Sequence, residues 1–189
     1  MAIRSISFLQ RLRSFSRGES GMAAVEFAVT LPFLLTAYLG GVELGDGIAI
    51  DRKVAITTRA VADLAAQYTT IYNSDMSNIL GATSVIVAPY PSTPLAVTVS
   101  EVTVDAKGSA TVTWSDTKGG TAHAVGTAVT LPGTLGAATG SVYSYIWGEV
   151  SYAYTPTLGY VMTGTYDLTD TFYLNPRLST KVCQNTTSC

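Results

Sequence analysis

An α+β fold is expected. One N-terminal transmembrane helix should run on as a long amphipathic helix packed on an antiparallel β-sheet. Three observations predict it. A 21-residue apolar run, Met22–Val42, follows directly on a basic head. Apolar residues then recur at helical spacing to about residue 72. From about residue 84 the period falls to two, as in a pleated strand.

Composition narrows the function classes before any element is placed. The chain has 189 residues and 19.8 kDa, which fits one domain with an appendage. Charged residues make up 13%, and the mean hydropathy is +0.30. A soluble domain would carry about 25% charged residues. The formal net charge is −2. A nucleic-acid binder would show a basic patch or stripe, so no nucleic-acid partner is expected. One His and two Cys fall short of the four ligands of a Cys/His structural zinc site, which argues against that class. No metal site and no cofactor is expected.

Charge is unevenly spread. Residues 1–21 hold Arg4, Arg11, Arg13 and Arg17 against Glu19 alone, and the remainder is net acidic. The apolar run that follows reads MAAVEFAVTLPFLLTAYLGGV. At helical rise it spans about 31 Å, close to the ~30 Å hydrocarbon core. A secretory signal has a shorter apolar region, 7–15 residues, closed by a small-residue cleavage site. A single spanning helix is therefore expected, over residues 22–43, its N-terminus held in the cytoplasm by the arginines. A buried core helix of a soluble protein is the other reading. Pro32 lacks an N–H and leaves the Ala28 carbonyl without its helical donor, so a kink is expected there. Glu26 is the one acid in the run. Such a charge either has a partner and a role, or snorkels to the headgroups.

Next, Val54, Val61, Leu64, Tyr68 and Ile71 mark one face of a helical extension over residues 44–72. Gly40, Gly41, Gly45 and Gly47 suggest a weak joint between its halves. A β-rich domain is expected over 73–189. It should open with a short helix at 75–82, with Ser74 as N-cap and Met76, Ile79 and Leu80 on one face. Leu95, Val97 and Val99 then alternate, and Val102 and Val104 alternate out of phase, which suggests a bulge near Ser100–Glu101. A turn at 105–108 leads to Ala110, Val112 and Trp114 on one face. Val125, Val129 and Leu131 suggest another strand. Residues 142–154 are apolar or aromatic on both faces, as in a central strand. The aromatic strip Tyr143, Tyr145 and Trp147 reads as core or as an interaction surface. Tyr166, Leu168, Phe172 and Leu174 suggest the last strand.

No catalytic constellation emerges, and an enzyme is not expected. His123 is alone in a Gly/Thr/Ala loop with no second ligand nearby in sequence, and no nucleophile elbow or phosphate loop is present. Glu149, in an apolar-aromatic strand, reads as pointing to water. Cys183 and Cys189 read as a disulfide in an oxidising compartment, with a free dithiol as the alternative.

The segment Gly21-Met22-Ala23-Ala24-Val25-Glu26-Phe27 resembles the type IV prepilin processing site. Ala24-Val25-Glu26-Phe27-Ala28, Leu31-Pro32 and Gly41-Val42-Glu43-Leu44-Gly45 together are similar to the TadE-like family. Arg59-Ala60-Val61-Ala62-Asp63-Leu64-Ala65-Ala66-Gln67 fits the small-residue helix that follows there. Pro89-Tyr90, Trp114-Ser115, Glu149-Val150-Ser151-Tyr152 and Asn175-Pro176-Arg177-Leu178 resemble short words of TadE/TadG-type proteins. Asp46 departs from the basic residue expected at its position.

The resemblance implies a pilin-like fold and a minor pilin or pseudopilin of the tight-adherence (Tad; Flp, type IVb) pilus assembly and secretion machinery, supporting surface adhesion. It implies a leader over 1–21 and cleavage by a prepilin peptidase between Gly21 and Met22. Glu26 and Phe27 would serve subunit assembly. The implied partners are that peptidase, other Tad pilins and pseudopilins, the inner-membrane pilus assembly platform and the membrane itself. The implied place is the bacterial inner membrane, with the C-terminal domain periplasmic and pilus association after processing. An uncleaved, membrane-anchored periplasmic scaffold or adhesion protein of the same system is the alternative. The chemistry of the motif stands on its own. Cleavage would bare a Met22 α-amine, mostly cationic at neutral pH, one helical turn from Glu26. Between offset helices in low dielectric, that amine and a neighbour's Glu26 would pair and fix register.

Overall fold

The computed structural model describes residues 19–133, 135, 140–187 and 189. Arg4, Arg11, Arg13 and Arg17, on which the basic leader and the orientation rest, lie outside those residues. Helix α1 (Glu19–Ala66) runs unbroken for 48 residues, through Pro32 and through the glycines read as a joint. That is about 72 Å, far more than a domain of this size can cover. Its first half stands free and its second half packs on the β-domain.

The buried stripe of the second half is Ile50, Val54, Thr57, Thr58, Val61, Ala62, Ala65 and Ala66. Leu64, expected on this face, is 36% exposed. The small residues lie inward instead because β4 approaches closely. A Cβ on Gly148 would sit 3.0 Å from the Thr58 carbonyl oxygen and 3.2 Å from Ala62 Cβ. The helix ends at Ala66, earlier than residue 72, with Gln67 and Tyr68 donating to the carbonyls of Leu64 and Ala65. These i→i−3 bonds tighten the last turn. Residues Thr70–Ile71 are β1, a two-residue strand pairing in parallel with β6 (Cys183–Gln184). β-Branched side chains favour strand over helix at this point.

Helix α2 spans Asn73–Ile86 and buries Met76, Ile79, Leu80 and Thr83. Its N-cap is Tyr72 rather than Ser74, and the Asp75 carboxylate accepts the Tyr72 N–H at 3.1 Å. Four antiparallel strands follow: β2 (Leu95–Val104), β3 (Ala110–Lys118), β4 (Tyr143–Tyr154) and β5 (Tyr166–Leu174). Their order is β3-β2-β4-β5, so β4 is central as expected. Residues 125–131 form no strand. They hydrogen-bond along the β3 edge through Val112, Ala110 and one bridge, Thr111 to Ala128. Gly126, at φ +83°, and Pro132 keep that segment from extending.

The phase switch in β2 has a different cause from the one expected. Along β4 its register is continuous; the irregularity is toward β3, where Glu101 pairs with Trp114 and Val102 with Val112. Thr113 is therefore the extra residue, and the bulge lies on β3. It sends Trp114 to the helix side and Val112 and Ala110 to the outer side, so these three do not share a face. Val102 and Val104 are buried because the outer face has a small core of its own. Ala110, Val129, Leu131, Tyr143, Tyr145 and Trp147 complete it.

Beyond the end of α1 the inner face of the sheet is covered by the C-terminal segment. The Trp114 indole N–H donates to the Val182 carbonyl at 2.7 Å, and Ser144 Oγ donates to the Thr180 carbonyl at 2.8 Å. The fully buried Glu101 accepts the Val182 N–H at 2.7 Å. Burial pushes its carboxyl above the usual carboxylate range, opposed by that N–H and by the Lys181 charge. Cys183 and Cys189 are joined in a disulfide that closes the tail over β6.

Candidate functional site

The free half of α1 is the surface that asks for an explanation. Every side chain from Met22 to Tyr38 is exposed, and Glu26 is the only charge among them. Phe27 is 62% and Phe33 72% exposed. An apolar surface of this extent, all round a helix, is unstable in water and belongs in lipid or against other helices. Among the described residues, Gly21–Ala66 is the one helix long and apolar enough to cross a membrane.

Along this half, Gly21, Met22, Glu26 and Phe27 occupy consecutive turns. Met22 and Glu26 are four residues apart, hence on one face, and a helical side chain leans toward the N-terminus. The Glu26 carboxylate has no hydrogen-bond or ion-pair partner among the described residues. Its backbone carbonyl accepts the Thr30 hydroxyl at 2.7 Å, and the Pro32 carbonyl accepts that of Thr36 at 2.8 Å. Two hydroxyls thus bond back on the turns around Pro32.

Where the free half meets the β-domain, the helix carries a seat that sequence reasoning did not find. Gly40, Glu43 and Gly47, at i, i+3 and i+7, share one face. Val161 lies on Gly40, where a Cβ would be 3.1 Å from its Cγ1, and the Tyr154 ring lies on Gly47 at 3.3 Å. Between them Glu43, only 2% exposed, accepts the N–H groups of Tyr160, Val161 and Met162 at 2.8–3.3 Å. The Tyr154 hydroxyl donates to the Glu43 carbonyl at 3.0 Å. A buried carboxylate is tolerated there because its hydrogen bonds are supplied. The sequence signal was present: a Glu three residues after one glycine and four before another. By contrast, a Cβ on Gly41 or Gly45 would meet open space.

Two more sequence candidates are brought together elsewhere. His123 Nε2 lies 2.5 Å from Glu149 Oε2 on the outer face of the sheet, so Glu149 is paired rather than free in water. The imidazole stacks on Trp147, which stacks on Tyr173 in turn. Among the described residues no group of three His, Cys, Asp or Glu side chains is placed to hold a metal. At the other end of the domain, Arg177 pairs with Asp63 and its N–H donates to the Ala66 carbonyl at 2.9 Å. The Asn175–Leu178 word thus closes on the end of α1.

No curated protein and no solved structure matches the chain. The family model described as TadE-like protein matches residues 21–67. Its span begins at the Gly21–Met22 junction and ends one residue past α1, so it takes in the free half, the Glu43 seat and the packed half. Residues 21–67 are thus similar to the TadE-like family, and the long apolar helix they contain fits a single-pass membrane protein.

Proposed function

We propose that the chain is a minor pilin or pseudopilin of the Tad (Flp, type IVb) pilus assembly and secretion machinery, processed after Gly21 and assembled through the free half of α1. The observation that carries this reading is a coincidence of three features. The TadE-like match starts at Gly21, the helix is bare from Met22 to Tyr38, and the single charge in that stretch is Glu26. The prepilin peptidase acts at Gly21–Met22, and the leader arginines hold that end in the cytoplasm. The β-domain is then periplasmic, and the role is structural rather than catalytic. In the membrane each span is a single anchor. In the assembly, spans pack side by side with the Met22 amine of one subunit against Glu26 of the next, and Phe27 fills the contact beside it.

The reading is tested at the N-terminus. Mass spectrometry of the protein from the membrane fraction should find Met22 as the first residue in cells with an active prepilin peptidase. Replacing Gly21 with a bulky residue should leave the leader attached, because a side chain would then occupy the space at the cleaved bond. A chain starting at Met1 or Ala2 in the same cells would instead favour an uncleaved, membrane-anchored scaffold or adhesion protein of the same system.

A further inference from the structure

The loop joining β4 to β5, residues 155–165, reads TPTLGYVMTGT and contains no charged residue. Its crown is bare: Leu158 is 43%, Tyr160 78% and Val161 46% exposed. The loop is held against α1 by the three N–H bonds to Glu43 and by Val161 on Gly40. Its height along the helix is therefore fixed. That height coincides with the end of the apolar run. Met22–Val42 spans about 31 Å, so a bilayer of ~30 Å places Glu43 and the loop at its far surface. Tyr38, little more than one turn below Glu43, is 69% exposed.

We infer that this loop is a second membrane contact, in which Leu158, Tyr160 and Val161 enter the headgroup–acyl boundary beside the span while Glu43 sets their depth. The inference rests on α1 crossing the bilayer. A lipid surface is the occupant because the exposed apolar crown lies beside the end of the apolar run, at the height where that run leaves the bilayer. Tyrosine, with an apolar ring and a polar tip, is a side chain that concentrates at this boundary. Two contacts fix the tilt of α1, and with it that of the β-domain it carries, over the membrane.

The test uses the full chain with a nitroxide at Tyr160→Cys, Leu34→Cys or Ser109→Cys, reconstituted in phosphatidylcholine–phosphatidylglycerol vesicles. Ser109 is exposed in the β2–β3 turn at the opposite end of the sheet, because Val104 pairs with Tyr143 whereas the loop follows Tyr154. Collision with a water-soluble nickel chelate should be several-fold lower at Tyr160→Cys than at Ser109→Cys, with a depth of about 5–10 Å, as for interfacial segments. Adding Glu43→Ala should return the position 160 label to water while leaving the Leu34→Cys label shielded. A shielded Leu34→Cys label with a Tyr160→Cys label as open as Ser109→Cys would overturn this inference alone. An open Leu34→Cys label would overturn the span and this inference with it. Shielding at position 160 that needs co-reconstituted pilins would make the crown a protein contact and overturn the lipid assignment.

Discussion

Glu26→Gln is expected to leave the protein inserted and folded but to abolish its co-purification with the pilus and with partner pilins. The substitution keeps the shape of the side chain and removes its charge. In the assembly the neighbour's Met22 amine would then lie in low dielectric without a counterion. Removing one partner of a buried ion pair costs about 3–5 kcal/mol, roughly a 10²–10⁴-fold loss in association. Glu26→Ala should behave the same way and insert more easily, since the run loses its only charge. The melting point of the β-domain should not move, because the seat nearest to Glu26 is at Gly40, more than three helical turns away. Normal piliation with Glu26→Gln would reduce Glu26 to a snorkelling residue.

The second large effect is expected at Gly148, where α1 crosses the centre of the sheet. Gly148→Val would drive a Cβ to 3.0 Å from the Thr58 carbonyl oxygen and 3.2 Å from Ala62 Cβ, before its two methyl groups are placed. The first of these neighbours is helix backbone and cannot rotate away, so the helix has to lift off β4. Overpacking of this kind costs about 1–3 kcal/mol. In a chain of this size that corresponds to a fall of roughly 3–10 °C in the thermal midpoint, read by near-UV circular dichroism of the full chain in detergent. Gly81→Ala is the contrasting case. Gly81 lies inside α2 with open space around its Cβ direction, so alanine should stabilise by about 0.5–1 kcal/mol. A Gly148→Val protein that melts like the parent would show that α1 and β4 do not pack as described.

The long helix, the central strand and the last strand of the four-stranded sheet are legible because each rests on a pattern local in sequence, whereas β6 beyond them is not. An apolar run of membrane length, a period of two and a basic head need no tertiary partner to be recognised. What escaped depends on elements far apart. The out-of-phase valines of β2 looked like a bulge in their own strand. They are buried by a second small core on the outer face, and the bulge that matters is at Thr113, across the ladder. Leu64 was placed inside by its spacing, but Gly148 lets alanines take the inner face. The helical pattern runs past Ala66 in sequence because β1 exists only through its pairing with β6, more than a hundred residues on. His123 and Glu149 meet only after the chain has folded back across the sheet.

The candidate site divides in the same way. Gly21, Met22, Glu26 and Phe27 can be proposed from sequence because the chemistry proposed for them is that of one continuous helix. The role of Glu43 is not legible locally, since its three donors come from a loop near residue 160. Gly40 and Gly47 were read as flexible. Their lack of a side chain instead admits Val161 and Tyr154, which makes that part of the helix the better anchored one.

The central claim is that the bare first half of α1 is an interface between subunits. It is tested most directly by a photo-crosslinking amino acid in place of Phe27, activated in living cells. Adducts should map to residues 22–30 of a neighbouring pilin or of a second copy of this chain, and should disappear when Gly21 is replaced and the leader stays on. Adducts confined to lipid, or unchanged when processing is blocked, would contradict it.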